Sequence, residues 1–304
     1  MQPDLRVSVG PIKLRNPILL ASGTVGYGPE IAEFTDLSKI GGIVTKSLSL
    51  YPRKGNPPQR IVETSSGMLN AIGLANVGVE EFIEKKIPYL AQFDTTVICN
   101  IAASSFEEYY ECVSMLSGEE VIDAFEINVS CPNVKDGGLV FGNDSKAVGK
   151  ITAGVRKVTN KPIIIKLSPN TASVSEFASI AKSEGADAVS AINTLVGSAI
   201  DIHSRKPKIY NVTGGLSGPA IKPVAVAKVL EIFRKVEIPI IGIGGIMNGN
   251  DIAEFMIAGA SAIQMGTVNF INPDASLKAV EELKQYCITH SIERLSELTG
   301  SVIL

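Results

Sequence analysis

The 304-residue chain has little of the chemistry from which metal, cluster and membrane proteins are built. Its four cysteines, at 99, 112, 131 and 287, form no C-x-x-C pair, which argues against a zinc site or an iron–sulfur cluster in this polypeptide. The two histidines, His203 and His290, are far apart and lack metal-ligand spacing, so no metal is expected. Tryptophan is absent, and no apolar run is long enough to span a bilayer. The opening Met1-Gln2-Pro3-Asp4 has no basic-then-apolar leader pattern. Charge is modest too: 19% of residues are charged and the net charge is -3, without the basic face that a nucleic-acid binder carries. These absences predict a soluble, cytoplasmic protein that engages neither nucleic acid nor membrane.

What is present is a repeating alternation. Eight short apolar runs recur: Ile18–Ser22, Gly42–Ser47, Thr96–Ile101, Phe125–Ser130, Pro162–Leu167, Ala188–Asn193, Pro239–Gly244 and Ala262–Thr267. Between them lie amphipathic stretches, among them Val79–Phe93, Ser105–Leu116, Ser145–Val158, Val174–Glu184, Pro223–Val236 and Gly249–Ala258. Strand–helix alternation without a linker between halves predicts one (β/α)8 TIM barrel spanning residues 1–304. A doubly wound open sheet is the alternative, but no G-x-G-x-x-G follows the first strand. Residues 3–16, with Gly10-Pro11, read as an N-terminal hairpin closing the bottom of the barrel. The long connections 48–78, 131–144 and 195–220 are expected on the C-terminal face, where this fold places its sites.

The strand ends are polar in a way that stability alone does not require: Ser22, Lys46, Asn100, Asn128, Lys166, Asn193-Thr194, Gly244-Gly245 and Gly266-Thr267. Each singly could cap the following helix; together they point to a ligand site. Gly242-Ile-Gly-Gly245 and Gly266-Thr267 follow strands seven and eight, the usual phosphate position of this barrel, and Gly214-Gly-Leu-Ser-Gly218 could add a third wall. Alternation turns Lys46 and Lys166 inward. They read as members of structural ion pairs, with Glu126 the available partner, and as fixed cations beside a ring that becomes anionic, two roles that are compatible. Cys131, at the end of the Phe125–Ser130 strand, is either a buried hydrophobe or an acid/base group. Cys99, Cys112 and Cys287 lie in apolar segments and read as packing. The amides of Asn70, Asn128, Asn133 and Asn193, with Thr194, suit a flat heterocycle with imide groups, because an amide both donates and accepts.

These residues resemble the class 1 dihydroorotate dehydrogenases over essentially the full length. The resemblance is carried by Asn16-Pro-Ile-Leu-Leu-Ala-Ser-Gly23, Thr45-Lys46-Ser47, Asn70-Ala-Ile-Gly-Leu74, Asn128-Val-Ser-Cys-Pro-Asn133, Ile165-Lys-Leu167, Ile192-Asn-Thr194, Leu216-Ser-Gly-Pro-Ala-Ile-Lys-Pro223, Gly242-Ile-Gly-Gly245 and Gln264-Met-Gly-Thr267. The 133–142 loop is more similar to the class 1B, NAD-linked catalytic subunit than to the fumarate-linked class 1A enzyme. The resemblance implies oxidation of (S)-dihydroorotate to orotate in pyrimidine biosynthesis, with one FMN per chain. Matched by position, FMN would contact Ser22, Lys46, Ser47, Asn100, Asn128, Lys166, Ile192, Gly218, Gly244, Gly245, Gly266 and Thr267. Substrate would be held by Lys46, Asn70, Ala71, Ile72, Gly73, Leu74, Asn128, Asn133, Asn193 and Thr194, under a 131–142 lid, with Cys131 as general base. FAD and a [2Fe-2S] cluster are expected only on a partner subunit, in an assembly of a homodimer of this chain with two electron-transfer subunits. Alternatives are the fumarate-linked enzyme or an FMN enzyme acting on another dihydropyrimidine.

Overall fold

The computed structural model describes residues 2–130 and 144–303. Strands β1 (Val7–Val9) and β2 (Ile12–Leu14) form the expected antiparallel hairpin, turning at Gly10 with φ 57°. There follow β3 (Ile18–Leu20), β4 (Gly42–Val44), β5 (Ile61–Thr64), β6 (Gly67–Asn70), β7 (Thr96–Ile101) and β8 (Ala124–Asn128). The second half contributes β9 (Ile163–Leu167), β10 (Ala188–Ala191), β11 (Leu195–Ser198), β12 (Thr213–Ser217), β13 (Ile240–Ile243) and β14 (Ala262–Met265).

Eight of these close a parallel barrel in the order β3-β4-β7-β8-β9-β10-β13-β14, with β14 returning to pair with β3 through Ile263 opposite Ile18. The strands lie inside the eight apolar runs of the sequence or one residue beyond them, and the polar residue ending each run stands past the last ladder pair or close to it. Between the strands run helices, the longest being Ser145–Val158, Lys222–Lys235 and Ala275–Thr289. Their apolar stripes bury Val148, Ile151, Val155, Val229, Ile232, Ala279 and Leu283 against the barrel's outer face. Several are started by a side-chain cap: Ser105 accepts the Glu108 N–H at 3.1 Å, Ser173 that of Glu176 at 3.4 Å, and Asn248 that of Asp251 at 3.0 Å. The caps are therefore taken by residues other than the polar strand ends.

Two features add to the sequence reading. Val79–Phe93, expected as one amphipathic helix, is helical over Val79–Leu90 but loosens into a π segment at Phe82–Lys86. Pro88 has no N–H to return to the preceding turn, which explains the slackened ladder. The long connections 48–78 and 195–220 are not plain loops: β5, β6, β11 and β12 assemble into an antiparallel sheet of order β11-β12-β6-β5. Leu216 opposite Leu69 sets its register.

Candidate active site

The interior-facing residues of the barrel change character toward the strand ends. Below lies an aliphatic filling of Val44, Ile98, Ile164 and Ile241; above it sits a buried carboxylate, Glu126 of β8. Four donors from four other strands converge on it. Its Oε1 accepts Asn100 Nδ2 at 2.6 Å and Lys166 Nζ at 3.2 Å; its Oε2 accepts Gln264 Nε2 at 2.6 Å and Ser190 Oγ at 2.8 Å. The exposures are 0% for Glu126 and 6% for Lys166, so water does little to screen this ion pair. Because a carboxylate only accepts, both amides must turn their NH2 groups to it. Asn100 Oδ1 and Gln264 Oε1 are left buried without a partner among the described residues.

One step nearer the mouth, Asn128 and Asn193 meet across the end of β9. Asn193 Nδ2 donates to Asn128 Oδ1 at 3.2 Å, and Asn193 Oδ1 accepts the Thr194 N–H at 2.8 Å. Tyr109 holds the Asn128 carbonyl from outside the barrel at 2.7 Å. Asn128 Nδ2 has no hydrogen-bond partner among the described residues.

Lys46 stands just past β4, half-buried and without an ion pair among the described residues. Burial pulls its ammonium below the usual lysine range; Glu30 opposes this shift and Arg60 adds to it. The chain around it is pinned: the Lys46 N–H donates to Gly26 O at 2.8 Å, and Thr45 Oγ1 accepts the Asn100 N–H at 3.1 Å.

The 70–74 segment arrives on the small sheet. Asn70 Nδ2 reaches Gly215 O at 3.3 Å, while Asn56 grips the loop twice, its side chain donating to Ala71 O at 2.9 Å and its backbone N–H to Ile72 O at 3.0 Å. Gly73 (φ 73°) and Leu74 (φ 56°) make the left-handed turn that returns the chain to Asn76.

On the opposite rim, Gly244 and Gly245 (φ 131° and 73°) form a turn that a side chain could not enter. A Cβ at Gly245 would lie 2.8 Å from Gly218 O, so the loops after β12 and β13 touch backbone to backbone. Ile192 is buried beside Gly244. Thr267 Oγ1 donates to Ser217 Oγ at 2.8 Å, tying in the loop after β14. A Cβ at Gly266 would sit in ordinary contact with Ala21 at 3.4 Å, Ser22 is half-buried, and nothing lies within 4 Å of a Cβ built at Gly23. Ser47 is also half-buried at the mouth.

The predicted set is thus brought to one face, except for Cys131 and Asn133, which with the 131–142 lid lie outside the described residues. The ion pair anticipated between Lys166 and Glu126 is present. Ser190 and Gln264 were missed as interior residues; each is a polar residue inside an apolar strand (Ala-Val-Ser-Ala and Ala-Ile-Gln-Met), which was the available signal. The three described cysteines are buried, and burial pushes the thiols of Cys99 and Cys112 up to about 12, which suits packing rather than chemistry. Among the described residues no His/Cys/Asp/Glu cluster could hold a metal.

Comparison with known proteins places the chain in a family. The family model described as dihydroorotate dehydrogenase matches residues 4–287. A protein of Citrifermentans bemidjiense named dihydroorotate dehydrogenase B (NAD(+)), catalytic subunit, is 52% identical over 303 residues, covering 100% of this chain and 99% of that protein. Proteins of the same name from Geobacter metallireducens and Geobacter sulfurreducens are 52% and 51% identical over 301 residues, each covering 99% of both chains. On its barrel, its polar strand ends and these matches together, the chain belongs to the dihydroorotate dehydrogenase family.

Proposed function

We propose that this chain is the catalytic subunit of an NAD-linked dihydroorotate dehydrogenase, oxidising (S)-dihydroorotate to orotate with FMN. The observation that carries the reading is the mouth of the barrel. Asn128 and Asn193 are joined amide to amide at 3.2 Å, with a buried cation, Lys166, on the strand between them and a half-buried one, Lys46, beyond β4. Such a set recognises a flat, imide-bearing anion.

The residues also fit FMN. The touching glycine loops at 218 and 244–245, with Gly266-Thr267, offer a backbone cradle for a phosphate. The orphaned Asn100 Oδ1 is a buried acceptor suited to a ring imide N–H, and the two lysines suit a ring that gains negative charge. Ser22, Lys46, Ser47, Asn100, Asn128, Lys166 and Ile192 would hold the ring. When bound, FMN supplies the acceptor for the hydrogen and electron pair that leave C6 of the substrate.

The chain's own residues do the rest. Lys46, the Asn70–Leu74 turn, Asn128, Asn133, Asn193 and Thr194 hold the carboxylate and imide. Cys131, by its match to the family motif, takes the proton from C5. Loss of hydrogen from C5 and C6 leaves the C5=C6 double bond of orotate, so the atoms and electrons balance. Transfer to NAD would need a second polypeptide that supplies FAD and a [2Fe-2S] cluster, since this chain has neither a cysteine cluster nor a dinucleotide fingerprint. The assembly is a homodimer flanked by two such subunits. A cytoplasmic setting fits the absence, among the described residues, of any helix long and apolar enough to cross a membrane.

An anaerobic absorbance titration of the purified, FMN-loaded chain with dihydroorotate tests this. Bleaching of the flavin, with no reoxidation by NAD until the partner subunit is added, is the expected result. Reoxidation by fumarate would move the chain to the fumarate-linked class, and a protein that cannot be loaded with FMN would overturn the reading.

A further inference from the structure

Glu126 has no part in the functions above, yet both of its oxygens are engaged inside the barrel. It lies one inward position below Asn128 on β8, and its register neighbours place Asn100 beside it on β7 and Lys166 beside Asn128 on β9. All four donors on it come from other strands, and two of them, Asn100 and Lys166, belong to the proposed flavin set.

We infer that Glu126 is a positioning residue that sets the redox poise of the bound flavin: it balances the charge of Lys166 and holds the Asn100 carbonyl oxygen toward the site. The inference rests on the FMN reading. Lys166 alone would strongly favour a reduced, anionic ring and make the loaded chain a poor donor to an acceptor such as NAD. A carboxylate 3.2 Å from its ammonium, fully buried where screening is weak, cancels much of that pull. The arrangement keeps a directed N–H donor while limiting the net positive charge in the site. The four hydrogen bonds explain how the carboxylate is retained there: each of its oxygens takes two donors, which meets most of its accepting capacity. The same contacts dictate which end of the Asn100 amide remains unpaired.

A merely structural role and a charge-balancing role predict opposite signs for one quantity, the flavin midpoint potential. Glu126→Gln keeps the shape and removes the charge. Dye-coupled titration of the flavin-loaded variant should show the equilibrium shifted toward reduced flavin by at least about tenfold, about 30 mV for a two-electron couple. Lys166→Gln should shift it the other way. The Glu126→Gln/Lys166→Gln double variant, which removes the pair as a unit, should return to within about threefold of wild type. If the carboxylate only props up Lys166, Glu126→Gln will shift in the same direction as Lys166→Gln or not at all, and the inference is overturned. Should Glu126→Gln fail to fold with its lysine unpaired, the double variant decides: a potential no higher than that of Lys166→Gln overturns the inference, and a return toward wild type upholds it. A wild-type chain that takes up no FMN overturns the functional reading and this inference with it. A wild type that titrates normally beside an unmoved Glu126→Gln overturns this inference alone.

Discussion

Thr267 and Ser217 join hydroxyl to hydroxyl at 2.8 Å, linking the loop after the last barrel strand to the end of β12 in the small antiparallel sheet. The contact closes the glycine-lined rim: Gly218 follows Ser217 and abuts Gly245, and Gly266 precedes Thr267. The proposed phosphate position is therefore assembled from three separate loops, tied to one another in part by this hydroxyl pair and by the approach of Gly218 to Gly245.

Thr267→Val preserves shape and removes that bond. The expected loss is about 1 kcal/mol, the usual net worth of a neutral hydrogen bond, appearing as roughly fivefold weaker FMN retention. Fluorescence titration of the flavin-free chain measures it. Retention equal to wild type would show that the rim does not depend on this contact.

Lys46 provides a pH signature. Its folded pKa is lowered, chiefly by burial, so it gives up its proton at a lower pH than an unfolded lysine. Below the folded pKa the fold bears the cost of a buried charge; as pH rises through it toward the ordinary 10.5, that cost is relieved and stability rises. Anion binding runs the other way, because it needs the ammonium. Orotate affinity, read from the flavin spectrum, should fall as pH climbs through this lowered pKa, and Lys46→Met should abolish the limb. The ring's own titration persists in the variant, so the difference isolates the lysine. Identical pH profiles would remove Lys46 from substrate binding.

For Cys131→Ser, FMN should be retained while reduction by dihydroorotate slows by about a hundredfold or more, as expected on losing a general base. The remaining activity should shift to higher pH, since a hydroxyl is a far weaker acid than a thiol. Stopped-flow reduction across pH measures both effects. Unchanged kinetics would assign the proton to another group.

Much of the site was legible in the chain because strand alternation is a local property. Period 2 alone turns Glu126, Asn128, Lys46 and Lys166 toward the interior, and a glycine after a strand marks a turn wherever the strand ends up. The pairing of Lys166 with Glu126 could be anticipated because their strands are consecutive in the barrel. The roles of Ser190 and Gln264 could not. Each is one polar residue in an apolar strand, and only its partner distinguishes it from an interruption of the core.

What the sequence determined by itself was the architecture: eight apolar runs separated by amphipathic helices, a hairpin beneath, and polar residues gathered at one end of each strand. Each of these follows from neighbours a few residues apart. What only the tertiary structure decided was who meets whom. Gln264 reaches Glu126 across 138 residues and Asn70 reaches Gly215 across 145, contacts set by closure of β14 on β3 and by the register of β6 on β12. Register depends on how the whole barrel closes, because a shift by one residue turns every side chain to the other face, and no local pattern encodes it.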